Sequence, residues 1–439
     1  MIKKFTFFKV VSLFLMGMVF SFSGFAQVTT SSLSGEVVEP SGEPSIGATI
    51  IAKHLPSGSV YSGLTNSSGR YNLANMRVGG PYHVEITFVG YQKAVFDEVY
   101  LQLGQPYVIN HKFVEEGTSL DELIVTSNRN SVLNSDRTGA VTNVTRSQIE
   151  SLPSISRSVN DLTRLTPQAN GTAIGGGNYR SNNFTLDGAN FNNQFGIGQN
   201  IPAGGSPISL DAIEQISVNI TPYDVRQSGF TGAAVNAVTR SGRNEFFGSA
   251  FTTYRNETLQ GLFVDGQKVQ RNEMEIKQYG LSLGGPIIKD KLFFFVNVEQ
   301  NKTTEPGPSK VAATAANPFG SANNIARPTA DFLDNVSTFL KDKYGYETGP
   351  YQGYSNKSFN DKFFARVDWN ISNKHKLNVR YNQVQSSEPR TVSTSTSGSN
   401  VSFSGANNRL SNNALHFMNS NYFQEANLYS ATAEYTGSL

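Results

Sequence analysis

Five histidines, His54, His83, His111, His375 and His416, are the side chains best suited to metal or acid–base chemistry. A zinc peptidase needs two of them on one helical face beside a glutamate. No His-Glu-x-x-His or His-x-x-Glu spacing occurs. "GLSLG", Gly280–Gly284, has the G-x-S-x-G spacing of a hydrolase, in which the serine must stand on a sharp strand-to-helix turn. Here it falls in an alternating strand-like run followed by Gly-Pro, with no helix after it. "GGGN", from Gly175, lacks the lysine of a phosphate loop. Asp187, Asn190 and Asn192 are spaced like the start of a calcium loop, but no acidic cluster completes it. The reading is therefore of a chain with no catalytic residue, no metal and no cofactor: not an enzyme.

Elements must then be sought for some other purpose. The net charge of +2 argues against a nucleic-acid partner. Forty Gly, 30 Phe and 18 Tyr against 1 Trp indicate β structure with long polar loops. The absence of cysteine excludes disulfides and thiol-linked lipid, so packing and sheet closure must stabilise the fold. Residues 1–26 read as a secretory signal peptide. Lys3, Lys4 and Lys9 precede the apolar run Val10–Phe22, and Gly24-Phe25-Ala26 forms a small-residue cleavage site. No later apolar run reaches the roughly 18 residues of a membrane helix.

Three regions follow. Residues 31–115 hold short alternating runs such as "LSGEVVE", "ATIIAKHL" and "YHVEITFVGY", separated by turn signals, and predict a β-sandwich. Residues 117–128 form a linker with a four-residue β-prone run, Leu123–Thr126, that has no hairpin partner beside it. Residues 129–241 mix a helix expected around Ser147–Leu165 with strands at "NNFTLDG" and "IEQISVNITP". The Gly/Asn-rich span 171–205 lies between those strands. Tyr179, Arg180, Phe191 and Phe195 in it offer stacking and hydrogen bonds, although packing on a wall is the commoner use of such residues.

From residue 245 to 439 the pattern is alternation. Tyr279, Leu281 and Leu283 alternate with Gln278, Gly280 and Ser282. Phe363, Ala365, Val367 and Trp369 alternate with Lys362, Phe364, Arg366 and Asp368, and Leu377, Val379 and Tyr381 with polar neighbours. A half-buried soluble sheet alternates likewise. The connections separate the two, because they run long, tight, long, tight, long, as in an outer-membrane barrel. About six strands are expected, too few to close a cylinder that holds a stopper, so a longer protein is inferred. The expected fold is mainly β: an N-terminal sandwich, an α+β middle domain and the first strands of an incomplete transmembrane antiparallel barrel.

This order, together with "LDELIVT", "FTLDG" and "AIEQISVNITPYDVRQSGFTGAAVNAVTRSG" (Ala212–Gly242), resembles the TonB-dependent outer-membrane transporters of the Oar-like, Bacteroidota-type branch. Residues 31–115 resemble the carboxypeptidase regulatory-like domain, a folded spacer in that family. The resemblance implies that residues 129–241 are a plug, with Asp187, Gly188, Gly229 and Gly232 in its structural motif. It implies that Leu120, Asp121, Glu122, Leu123, Ile124, Val125 and Thr126 pair with TonB, itself driven by ExbB and ExbD. Outer-membrane lipid and an unidentified substrate are the other implied partners, with a surface lipoprotein as a candidate. The alternative reading is a non-transporting surface barrel, an adhesin or envelope organiser.

Overall fold

The computed structural model describes residues 29–115, 123–126, 141–154, 157–170, 173–177, 181–191, 206–220, 230–259, 261, 263–268, 273–390 and 412–437. The signal-peptide reading, Leu120–Glu122 and Gly229 lie outside the described residues.

The N-terminal unit has eight strands: β1 (Ser31–Val38), β2 (Thr49–His54), β3 (Ser59–Leu64), β4 (Arg70–Met76), β5 (Gly79–Thr87), β6 (Ala94–Leu101), β7 (Pro106–Val108) and β8 (His111–Lys112). They make two sheets. One runs β4-β1-β7 with β8 also on β1; the other runs β3-β2-β5-β6. Alternate residues point inward, as the period of two requires. Leu33, Val37, Ile50, Val84, Ile86, Val99 and Leu101 meet in one core. The linker run Leu123–Thr126 is strand β9. It completes the second sheet by pairing in parallel with β6, Ala94 against Leu123 and Asp97 against Thr126.

The middle unit is built on β10 (Val141–Thr145), β11 (Asn183–Leu186), β12 (Ile213–Asn219) and β13 (Ala234–Thr239). The sheet order is β10-β12-β13-β11, and Ala189–Asn190 closes a hairpin on β11. One long helix was expected over Ser147–Leu165; the structure has two short ones, α1 (Arg146–Ser151) and α2 (Val159–Thr163). Pro153 lies between them and cannot continue a helix, and Thr145 and Ser158 each cap a new start.

The third unit is built on a seven-stranded antiparallel sheet, with two small two-stranded sheets in its long connections. Its strands are β14 (Phe247–Asn256), β15 (Glu275–Ile288), β16 (Leu292–Pro306), β17 (Ser355–Asn370), β18 (His375–Arg390), β19 (Tyr422–Glu425) and β20 (Leu428–Gly437). The order is β14-β15-β16-β17-β18-β19, with β20 also on β18, and the sheet does not close. Tight turns join β15 to β16 and β17 to β18, and the long connections leave from the opposite end. The strands run up to 16 residues, longer than the ten or so expected. The connection after β16 also holds a helix that alternation did not disclose, α3 (Ala330–Tyr344). Thr329 caps its start, and Gly345, at φ 64°, ends it in the left-handed conformation.

The two faces of this sheet decide its solvent. Leu281, Val367, Trp369, Val379 and Tyr435 are exposed, whereas Gln278, Asn297, Glu299, Lys362, Arg366, Asp368 and Arg380 are buried. Apolar side chains outside and charges inside is the reverse of a water-soluble sheet, and is what a wall between lipid and an aqueous lumen requires. The middle unit packs against the charged face. Phe295 and Phe364 from the wall join Val144, Leu162, Ile213, Ile216 and Val235 in one core. The sandwich sits against the tight-turn end, where Ser59 Oγ donates to Asn370 Oδ1 (3.3 Å) and Asn244 N donates to Pro56 O (2.8 Å).

Candidate functional site: a charged seam joining three units

The seam begins at "LDG". Asp187 (φ 47°) and Gly188 (φ 82°) are the central residues of the hairpin that pairs Leu186 with Ala189, and positive φ at both is what a type I′ turn demands. This turn aims the Asp187 carboxylate across the sheet. Oδ1 accepts from Thr239 N (2.9 Å) and Oδ2 from Thr239 Oγ1 (2.6 Å), tying β11 to the end of β13. The same carboxylate faces Arg380 on the wall at 3.4 Å. Arg380 in turn pairs with Glu434 on β20.

A second line of charge leaves Thr239. Arg366 Nη1 donates to its carbonyl (2.9 Å) and to its hydroxyl (3.0 Å), while Nε and Nη2 fork onto the two oxygens of Asp368 at 2.9 and 2.8 Å. Asp368 also receives Arg77 of the sandwich at 3.1 Å, and Arg77 donates to Ser241 Oγ at 2.8 Å. Sandwich, middle unit and wall are thus joined by one alternating run of cations and anions, in which Asp187, Arg366, Asp368 and Arg380 are buried while Arg77 and Glu434 keep partial exposure. Deleting one member of a buried link by substitution would leave its counterpart unpaired, at a cost of roughly 3–5 kcal/mol.

Further along the lumen, Lys362 Nζ donates to Glu299 Oε1 (2.6 Å), and Ser209 Oγ of the middle unit donates to Glu299 Oε2 (2.5 Å). Two arginines of the middle unit lie on wall aromatics: Arg157 over Phe251 at 3.8 Å and Arg240 over Phe247 at 4.6 Å. Room for those rings comes from glycines across the strand. A Cβ on Gly280 would lie 2.0 Å from Phe251, and one on Gly284 2.6 Å from Phe247. "GLSLG" is therefore part of β15, its glycines seating aromatic rings.

Where the units meet there is a cavity of about 130 Å³ lined by His54, Arg77, Glu214, Arg240, Arg366, Asp368 and Lys376, among others. Burial raises the Glu214 pKa against the pull of Arg240 and Arg146. Burial and then Arg146 lower that of Arg240 to about 10. No group of three or more potential metal-ligating side chains occurs among the described residues.

The residues singled out from sequence are distributed unevenly over this arrangement. Asp187 is its hub, and Gly188 makes the turn that presents it. At Gly232 φ is not positive, so a left-handed turn is not what calls for glycine there. Its need is close approach, since a Cβ there would come within 2.5 Å of Asn182 Oδ1 and 3.1 Å of Ile174 O. Leu123–Thr126 stand apart from the seam, on the sandwich edge. Phe191 is 3 % exposed and packs on Phe184, so it is core and not a lumenal contact; Tyr179, Arg180 and Phe195 lie outside the described residues. The wall charges Arg366, Asp368 and Arg380 were legible only as the water-facing side of alternating strands.

A lipid-facing sheet with charged contents defines the class. Residues 238–437 match the outer membrane beta barrel domain and residues 32–114 the carboxypeptidase regulatory-like domain, so the chain is similar to outer-membrane β-barrel proteins over its third unit and to regulatory-like sandwiches over its first. More particularly, it is a homologue of the TonB-dependent transporter Oar of Myxococcus xanthus. The two are 26% identical over 302 residues, which cover 64% of this chain and 27% of that protein. The chain thus spans about a quarter of its relative's length. Similar solved structures include the outer membrane transporter YddB of Escherichia coli (TM-score 0.39, 14% identity, 58% of this chain and 34% of that one). Another is the siderophore receptor PirA of Acinetobacter baumannii (TM-score 0.37, 18% identity, 56% and 31%).

Proposed function

We propose that the protein is a TonB-dependent receptor that moves a bound substrate across the outer membrane. In this reading the middle unit is the plug, Asp187, Gly188, Gly229 and Gly232 are its structural motif, and residues 120–126 are the segment to which TonB adds a strand. TonB is driven by ExbB and ExbD, and a surface lipoprotein is a candidate partner in substrate capture. No catalytic step is assigned.

The observation that carries this reading is the nature of the seam. A stopper that must be held firmly and yet be moved needs bonds that water can replace. Asp187–Arg380, Thr239–Arg366 and Ser209–Glu299 are such bonds. The apolar contacts of Phe295 and Phe364 with the middle unit offer no such exchange, because water does not substitute for lost apolar contact, so the polar bonds are the ones a displacement can trade for water. Strand addition suits residues 123–126, which already have extended backbone. Ile124→Pro removes one backbone donor and fixes φ there. The expected result is normal barrel insertion with loss of both energised uptake and capture by the TonB periplasmic domain. Uptake and capture at the unmodified level would retire the assignment of residues 120–126.

A further inference from the structure

The linker strand raises a question that strand addition alone leaves open: whether it binds its partner free or in place. β9 is the last strand in its sheet, so among the described residues only one of its edges, the one on β6, is paired. A terminal strand presents a row of N–H and C=O groups directed outward, which is the template on which another chain's strand builds. In the sequence Asp121 and Glu122 come directly before it, and charge next to an edge strand is what discourages indiscriminate pairing.

We propose that the outer edge of β9, while β9 is still held on β6, is the docking surface for an extended strand of the TonB periplasmic domain. The sandwich then serves as the piece that TonB grips. The inference rests on the assignment of residues 120–126 made above and adds where and in what state they act. Two observations favour engagement in place. All four residues of β9 are already paired in register with Ala94–Asp97, so the segment is ordered before the partner arrives, which lowers the entropic cost of binding. The sandwich is also bonded onward. Leu103 N donates to Gln215 Oε1 of the middle unit at 3.2 Å, Val78 and Leu103 pack on Val238, and Arg77 reaches both Ser241 and Asp368. A pull applied at the edge of this sheet therefore passes through β6 into contacts with the middle unit and the barrel rim.

Residues 1–439 hold no cysteine, so an engineered pair supplies their only two thiols. Asp97→Cys with Thr126→Cys joins a register pair of β6 and β9. Full-length protein carrying both changes is inserted in outer membranes, and capture by purified TonB periplasmic domain is compared before and after reduction. Engagement in place predicts that oxidised and reduced forms bind within about twofold of each other. Binding by the reduced form with more than about tenfold loss on oxidation would mean that β9 must leave β6, and would overturn the proposal. Hydrogen exchange on the unmodified protein guards against a damaged variant. Amides of β6 keep their protection when the TonB domain binds if β9 stays, and lose it if β9 departs. The underlying assignment fails differently: Ile124→Pro would then be captured as well as the unmodified protein.

Discussion

At the scale of single residues, the hub of the seam makes a sharp prediction. Asp187→Ala would leave Thr239 N without its acceptor and Arg380 with Glu434 as its remaining anion. Because a buried pair is broken and not replaced, the loss should be about 3–5 kcal/mol. Asp187→Asn, which also tolerates positive φ, should lose appreciably less. Denaturant titration of the detergent-folded protein, read by proteolysis within the middle unit, would rank the two. A reversed order would remove Asp187 from the centre of the network. The sandwich carries a separate, pH-dependent pair. Hydrogen bonds first to Asp97 (2.5 Å) and then to Glu85 (2.9 Å) raise the His83 pKa above 6.5. A base whose folded pKa is raised stabilises the fold fully below its unfolded pKa, and that contribution is lost as pH climbs through the folded value. Sandwich stability should therefore decline from about pH 6.5 upward, and pulse proteolysis should show His83→Gln to lack that decline. An equal decline in the variant would assign it elsewhere.

At the scale of elements, the wall strands were the most legible part of the chain and the reasons for their individual residues the least. Alternation of Phe363, Val367 and Trp369 with Lys362, Arg366 and Asp368 is a local, period-two signal, and the exposures follow it. The glycines of β15 carry no such local meaning. Their use depends on cross-strand register, Gly280 opposite Phe251 and Gly284 opposite Phe247, and on which arginine of the middle unit then lies on the ring. Gly280→Val should force Phe251 from its seat and cost about 1–3 kcal/mol of overpacking. The expected readout is a lower thermal midpoint of the detergent-folded barrel, and an unchanged midpoint would deny the glycine that role. The helix α3 was missed for another reason. Its caps, Thr329 and Gly345, are readable, but a polar connection between strands suggested a loop throughout. The partner of Leu123–Thr126 was beyond any local reading, since a parallel strand has no hairpin neighbour and β6 ends well before it in the chain. Asp187 and Gly188 were found through the wording of a motif; the arginines that answer Asp187 required the fold.

At the scale of the whole molecule, the sandwich covers the tight-turn end of the wall, which in an outer-membrane barrel faces the periplasm. Its grip is mainly polar: Arg77 on Asp368, Ser59 on Asn370, and Lys376 donating to Val60 O at 3.5 Å. The apolar part is the small cluster of Val78, Leu103 and Val238. An interface of this kind can re-solvate, so relative motion of the units is the physical expectation. If substrate leaves through that end, fastening the sandwich to the rim should stop transport without disturbing assembly. Ser59→Cys with Asn370→Cys places the only two thiols of the chain where Ser59 Oγ and Asn370 Oδ1 are 3.3 Å apart. The oxidised protein should insert normally, bind the TonB domain and fail to take up substrate, and a reductant should restore uptake. Uptake that continues with the disulfide closed would mean that cargo leaves past a stationary sandwich, and the polar grip at the rim would then be a permanent anchor.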